Sequence, residues 1–319
     1  MKHFLTLFAT IIMVMTAMAQ NAGIVLSYNK GSELKFYSYD QLHKVIEDAE
    51  VNDTVYFGSG TIDISVLPTY NNNYQWCQIN KPLTFIGAGA QEGGTKLSGN
   101  KYIFLNIDPS LDHMKKVFSF EGIEFPSDRR IMPSSDLRDL KFVNVKSGYI
   151  DKGNSQEKTF VVDNLIIDRC SFYQLSLKNF STKKATINNT KIAVLEGGCD
   201  SSGVATLEHC SISRISSDVI GLIKYSLYET DFSGTQCVLE NCFRINSDLD
   251  RVDDNPSSLG KCDDGTVYGT LGGQTPYTLF PQYPTPDTSI DSNTGKPKSY
   301  VEYDSLNKKL TITVKRIGE

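Results

Sequence analysis

The sequence predicts an all-β chain wound as a right-handed parallel β-helix, a solenoid with an N-terminal capping helix and a C-terminal strand cover. Two observations carry that expectation. A short string of the form apolar, two polar residues, small, polar, apolar recurs at a fixed step. Around each copy the apolar residues alternate with period two, as they do in strands with one buried face.

The copies are explicit. Ile167-Asp168-Arg169-Cys170-Ser171-Phe172 recurs as Ile187 to Ile192, again as Leu207 to Ile212, and as Leu227 to Phe232, each step being 20 residues. Leu239-Glu240-Asn241-Cys242 is a shifted fifth copy, while Phe120 to Phe125 and Leu137 to Phe142 are degenerate earlier ones. Leu165, Ala185, Ala205 and Tyr225 stand two residues before the string. The reading is a strand, a two-residue polar corner, and a second strand. Asn189, His209 and Asn241 at the corner suit left-handed backbone. Cys170, Thr190, Cys210 and Thr230 then form one internal column of small side chains, in which a free cysteine serves as a compact apolar residue. The strand half of a leucine-rich repeat fits the same local string, but Thr182 and Ser202 stand where such a repeat needs further leucines.

The N-terminus reads as a cleaved signal peptide over residues 1–19. Lys2 and His3 precede a continuous apolar run from Phe4 to Met18, and Ala17-Met18-Ala19 offers a small-x-small cleavage site. That run is short for a membrane span. The mature protein is therefore expected in the periplasm, outside the cell or at its surface, with no membrane insertion. The 32 Lys and Arg against 37 Asp and Glu give a net charge of −5, or −6 once Lys2 leaves. Such mild acidity argues against a nucleic-acid partner, which needs a basic footprint. Seven cysteines in an oxidising compartment leave at least one unpaired in a monomer.

Between leader and repeats, Tyr39 to Glu50 reads as a helix with Leu42, Val45, Ile46 and Ala49 on one face. It should cap the stack, because an open coil end exposes core and strand edges. Next come Asp53-Thr54-Val55-Tyr56-Phe57, Gly60-Thr61-Ile62 and Lys81-Pro82-Leu83-Thr84-Phe85-Ile86-Gly87-Ala88-Gly89. These entry segments, with Asp264 to Gly269, Gly272-Gly273 and Pro276-Tyr277-Thr278 near the other end, resemble secreted β-helix proteins of the pectate-lyase-like superfamily. The resemblance spans most of residues 38–285. It implies the fold and leaves function open, since that superfamily holds lyases, hydrolases, esterases, adhesins and inert spikes. The domain expectation is residues 20–285 as capped β-helix and 286–319 as an extension on its end. There, five prolines between Pro276 and Pro297 precede two alternating strands around Tyr300 to Tyr303 and Leu310 to Val314.

Candidate chemistry is sparse. An outward row of Asp168, Asn188, Glu208 and Tyr228 could place two carboxylates roughly 9–10 Å apart across two coils, a spacing that suits an inverting glycoside hydrolase. With Asn188 the same pair could hold Ca²⁺, and Lys191 is the nearest base across the corner. The acidic stretch Asp248, Asp250, Asp253 and Asp254 is a second Ca²⁺ candidate, but it lacks the regular alternation and glycine of a calcium loop, and an exposed, self-solvating loop is the favoured reading. Arg129-Arg130 could grip a carboxylate. Tyr70, Tyr74 and Trp76 offer an aromatic sugar platform. The expected function is non-catalytic: binding a polysaccharide or other surface glycan, or serving as an interaction scaffold, with no cofactor beyond a possible Ca²⁺. The alternative is a divergent polysaccharide lyase or inverting glycoside hydrolase.

Overall fold

A computed structural model describes residues 23–27, 34–70, 73–150, 160–177, 180–197, 204–216, 218–229, 236–246, 249–277, 300–304 and 309–313. The chain is all-β, dominated by two long, mostly parallel sheets of eleven and thirteen strands, here sheet A and sheet B. Successive strands alternate between them. Phe160–Asp168 lies in A, Ser171–Ser176 in B, Phe180–Asn188 in A, Lys191–Glu196 in B, and so on to Gln236–Glu240 and Phe243–Arg244. Each strand pairs in parallel with its copy one repeat earlier, Asp168 beside Asn188 and Asn188 beside Glu208. This arrangement is compatible with a parallel β-helix.

The corner between the sheets is set by the backbone. Asn144, Arg169, Asn189, His209, Tyr225 and Asn241 all have φ between 46° and 53°. This left-handed conformation is rare for side-chain-bearing residues and easiest for Asn. The N–H of each of the first five donates to a carbonyl of the following repeat, as from Arg169 to Asn188 and from Asn189 to Glu208, both at 3.0 Å. The corner therefore extends the hydrogen-bonded ladder instead of interrupting it. The expected left-handed Asn189, His209 and Asn241 are found; Arg169 and Tyr225 join them against the usual residue preference.

Inside the corner, Cys170, Thr190, Cys210 and Ser226 are completely buried. Small polar side chains are used here because the bend turns backbone groups inward: Thr190 Oγ1 accepts from the Cys170 N–H at 3.3 Å, and Ser226 Oγ from the Cys210 N–H at 3.0 Å. Nearer the N-terminus the interior is aromatic. Phe57, Phe85, Phe120 and Phe142 stack at centroid distances of 5.2–5.9 Å, offset-stacked contacts that add to burial.

Three expectations shift. The step shortens after His209, so that Glu208 pairs with Lys224 and Ser211 with Leu227. The fourth copy is thus Ile223 to Tyr228, with Tyr225 at the corner and Ser226 in the internal column. Thr230 lies outside the described residues. Leu195 pairs with Ile215 and Glu208 with Lys224, so the return is four residues shorter than the one before it, and a fixed period of 20 reads past it. Upstream, the Leu137 string lies within one strand, Leu137–Val143, and the true corner is Asn144. Finally, the helix over residues 39–50 begins with a 3₁₀ turn, Tyr39–Gln41, before α1, Leu42–Asp48.

Leu42, Val45, Ile46 and Ala49 are buried in the same core as the strands. The Lys81 ammonium closes the C-terminal end of α1 by donating to the carbonyls of Ile46, Glu47 and Ala49 at 2.6–2.9 Å. A cation belongs there, where the last turn leaves carbonyls unpaired. Strands Gly23–Ser27 and Leu34–Ser38 complete sheet A at this end in antiparallel fashion. Near the other end, the acidic stretch contains a short helix, α2, Leu249–Asp254. The C-terminal strands Tyr300–Asp304 and Lys309–Thr313 form an antiparallel hairpin. No helix among the described residues is long and apolar enough to cross a membrane.

Candidate functional site

Strand alternation puts Cys77, Ile103, Ile131, Ile150, Leu175 and Leu195 of sheet B in the core. Their neighbours must then point outward. Register aligns those neighbours into one row: Trp76 beside Tyr102, Arg130 beside Tyr149, Tyr149 beside Gln174, Gln174 beside Val194, and Val194 beside Arg214. Ile131 pairs with Ile103, which sets Arg130 level with Tyr102 and closes the row. Neighbouring positions are about 4.8 Å apart.

The row interlocks. The Trp76 ring lies 5.1 Å from Phe104. The Arg129 guanidinium sits 5.7 Å from the Tyr102 ring centre and that of Arg130 5.5 Å from Tyr149, both within cation–π range. Tyr149 meets the 56 % exposed Tyr173 edge-on at 5.4 Å. Gln174 and Glu196 are joined at 2.8 Å, and Arg129 also pairs with Asp128 at 3.2 Å. Aromatic faces, guanidinium donors and an amide thus follow one another along a single face. Two candidates read separately in the sequence, Trp76 and Arg129-Arg130, are brought together here. Tyr102, Tyr149 and Tyr173 were missed, because they become neighbours only through strand register. The side chains of Tyr70 and Tyr74 lie outside the described residues, although Tyr74 is two positions from Trp76 on one strand, Asn73–Ile79.

Sheet A carries the other predicted row, with a correction. It runs Glu121, Val143, Asp168, Asn188, Glu208, Lys224, Glu240. Tyr228 is on sheet B beside Ile212 and Arg244, displaced from the predicted row by the shortened step. Burial raises the carboxyls of Glu121 and Asp168 above the ordinary range, against the opposing pull of Lys141 and Arg169. Asp168 is gripped by Arg169 through Nε at 2.9 Å and Nη2 at 2.7 Å. Further along, Lys224 pairs with Glu240 at 3.1 Å. Lys224 and Glu240 thus answer each other within the row, and Asp168 is answered by Arg169 at the corner beside it.

Lys191, the candidate base, faces elsewhere. Its ammonium lies 3.2 Å from both Asp253 and Asp254 and 5.4 Å from the Tyr277 ring centre. Burial lowers its affinity for the proton, but the two aspartates outweigh that and raise it above the ordinary lysine value. A lysine held charged in this way is a poor base. Asp253 is itself fully buried in α2, accepting from the Thr270 N–H at 2.8 Å and the Thr270 hydroxyl at 2.6 Å. This corrects the exposed-loop reading of the acidic stretch: Asp253 is a structural lock. A cation at Asp253 would have to share its carboxylate with Thr270 and Lys191. Asp248 and the side chain of Asp250 lie outside the described residues. Among the described residues, no three His, Cys, Asp or Glu side chains converge to hold a metal ion.

The same segment fastens to the corner. Asn189 Nδ2 donates to the Thr270 and Gly272 carbonyls at 3.0 and 2.7 Å. His209 reaches Asp264 at 2.9 Å and stacks on Tyr225. Gly272 and Gly273 lie so close to the imidazole that a Cβ would come within 2.3 and 2.9 Å of its atoms. The Gly-Gly pair is therefore there for close approach. Comparison with protein-family models, with characterised proteins and with solved structures finds no match for this chain.

Proposed function

We propose that this chain is a secreted right-handed parallel β-helix, capped by α1, which binds carbohydrate without catalysis along the outer face of sheet B. The coil reading draws support from strands that alternate between two sheets, parallel pairing of each strand with its copy, and left-handed corners stacked in register. Right-handedness follows from the chirality of nearly all parallel crossovers. The binding reading rests on one observation: Trp76, Tyr102, Arg130 and Tyr149 on successive strands of one open face. Flat rings cover the C–H faces of sugars, while guanidinium and amide groups bond hydroxyls or carboxylates. The opposing row on sheet A argues against catalysis in its present form, since Asp168 is clamped by Arg169 and Lys191 is sequestered.

The alternative, a divergent polysaccharide lyase or inverting hydrolase, draws on Glu121 and Asp168, whose raised carboxyls are what a general acid requires. One assay separates the two readings. The mature protein is incubated with neutral and uronic polysaccharides, with Ca²⁺ and with chelator. Product release and retention on immobilised polysaccharide are then followed in parallel. Retention without new reducing ends or unsaturated uronate is expected. Product release that disappears in Asp168→Asn would overturn the non-catalytic reading; neither retention nor release across the panel would remove the carbohydrate reading altogether.

A further inference from the structure

Register gives the aromatic face of sheet B a definite length. Trp76, Tyr102, Arg130, Tyr149 and Tyr173, which precedes Gln174, stand on five consecutive strand levels. Four steps of about 4.8 Å make the ringed stretch about 19 Å long. Its order is symmetrical. Trp76 and Tyr102 lie on one side of Arg130, and Tyr149 and Tyr173 on the other. The guanidiniums of Arg129 and Arg130 rest against the inner ring of each pair, Tyr102 at 5.7 Å and Tyr149 at 5.5 Å. Past Tyr173 the next level carries Ala193 and Val194, and the one after it the exposed Arg214, so the rings stop there. At the other end, Trp76 is on the last strand but one of the sheet.

The direction of a ligand follows from this placement. Each of the four rings belongs to a different strand. A polymer lying along any one strand would meet one of them, whereas a polymer lying across the strands meets all four. A sugar ring in an extended chain is about as long as one strand spacing, so four steps seat about five sugar residues. Each stacked ring adds to binding. Contacts along one chain compound, because the later ones form within a complex already held. We infer that the ligand of this face is an extended polysaccharide segment laid across the strands and held over about five sugar residues, with rings stacking at both ends and Arg129 and Arg130 bonding oxygens at the middle. This assignment rests on the carbohydrate-binding reading of sheet B. A single sugar or a disaccharide covers too few levels to gain the full contact. A longer chain runs on over Val194 and Arg214, where no further ring holds it.

Length dependence tests it. Oligosaccharide ladders of two to eight residues are prepared by partial hydrolysis of each polysaccharide that the mature protein retains. They are titrated in competition with the immobilised polymer. Affinity should rise at least about tenfold from disaccharide to pentasaccharide and level off beyond. Tyr173 is 56 % exposed, so Tyr173→Ala removes an end ring without opening the core. Its plateau should arrive one sugar residue earlier, as should that of Trp76→Ala at the opposite end. Arg130→Ala, at the centre, should lower affinity at every length from three residues upward and leave the plateau where it was. A disaccharide that binds as tightly as the pentasaccharide overturns the inference while leaving carbohydrate binding in place, because the site would then be compact. An unmoved plateau in both Tyr173→Ala and Trp76→Ala overturns it as well. Retention of no polysaccharide removes the carbohydrate reading, and the extended ligand with it.

Discussion

Sheets A and B are built from the same repeats and share one core, yet their outer rows differ in chemistry. Sheet A presents Asp168 gripped by Arg169 and Lys224 paired with Glu240, and the corner beside it is fastened by Asp253, Asp264 and the glycines at 272 and 273. Sheet B presents Trp76, Tyr102, Arg130, Tyr149 and Tyr173, whose rings and guanidiniums contact one another while Tyr173 stands more than half in solvent. Charges that are already paired contribute little recognition, since an incoming ligand must compete with partners in place. The contrast teaches that in stacked parallel sheets the column, more than the fold, decides which face has chemistry to offer.

The largest effect should fall where the sheet A corner is locked. Asp253→Ala removes the buried acceptor of both Thr270 donors and leaves Lys191 only the exposed Asp254, so a loss of about 3 kcal/mol is expected. Asp254→Ala, at an exposed partner of the same lysine, should cost under about 1 kcal/mol. Urea unfolding of both variants checks this, and equal losses would break the distinction between lock and surface partner. Next comes Asn189→Ala, which puts alanine in left-handed backbone and leaves the Thr270 and Gly272 carbonyls without their donor. About 2 kcal/mol is expected. Asn189→Gly relieves the backbone strain and should retain roughly half of that loss.

Sheet B should respond in binding and not in stability. Trp76→Ala and Arg130→Ala should each weaken retention of a bound polysaccharide about tenfold, corresponding to about 1.4 kcal/mol. Asp168→Asn should leave retention unchanged. Affinity electrophoresis in polysaccharide-containing gels measures all three. A loss with Asp168→Asn and none with Trp76→Ala would exchange the roles of the two sheets.

How much of this was legible in the sequence follows from what a period can encode. Burial alternation and corner chemistry are local, so Leu165, Ile167, Cys170 and the left-handed Asn189 could be read directly. A fixed step of 20 fails where the return from Ile215 to Ile220 shortens, and it carried Tyr228 into the wrong row. The sheet B face was only half legible. Trp76 and Arg130 are distant in sequence, and no periodic signal links them, because the loops between their strands differ in length. The Asp253 lock was illegible for a different reason. An acidic run reads as solvated until a buried hydroxyl and a lysine from another repeat are known to meet it.

The smallest predicted effect tests whether Lys191 belongs to the lock or to the chemistry. Asp253 and Asp254 raise its folded-state proton affinity above the ordinary lysine value. A group so raised contributes stability that is fully present below its unfolded pKa, about 10.4. That contribution is lost as pH rises through the higher folded-state value. The difference in thermal midpoint between wild type and Lys191→Met should therefore be constant from neutral pH to about 9.5 and shrink above about 10.5. Taking the difference removes the tyrosine and other lysine titrations common to both proteins. A difference that instead grew with pH would mean that Lys191 is folded in its neutral form. Such a lysine would be available as a base, and the corner of sheet A would return as a place for catalysis.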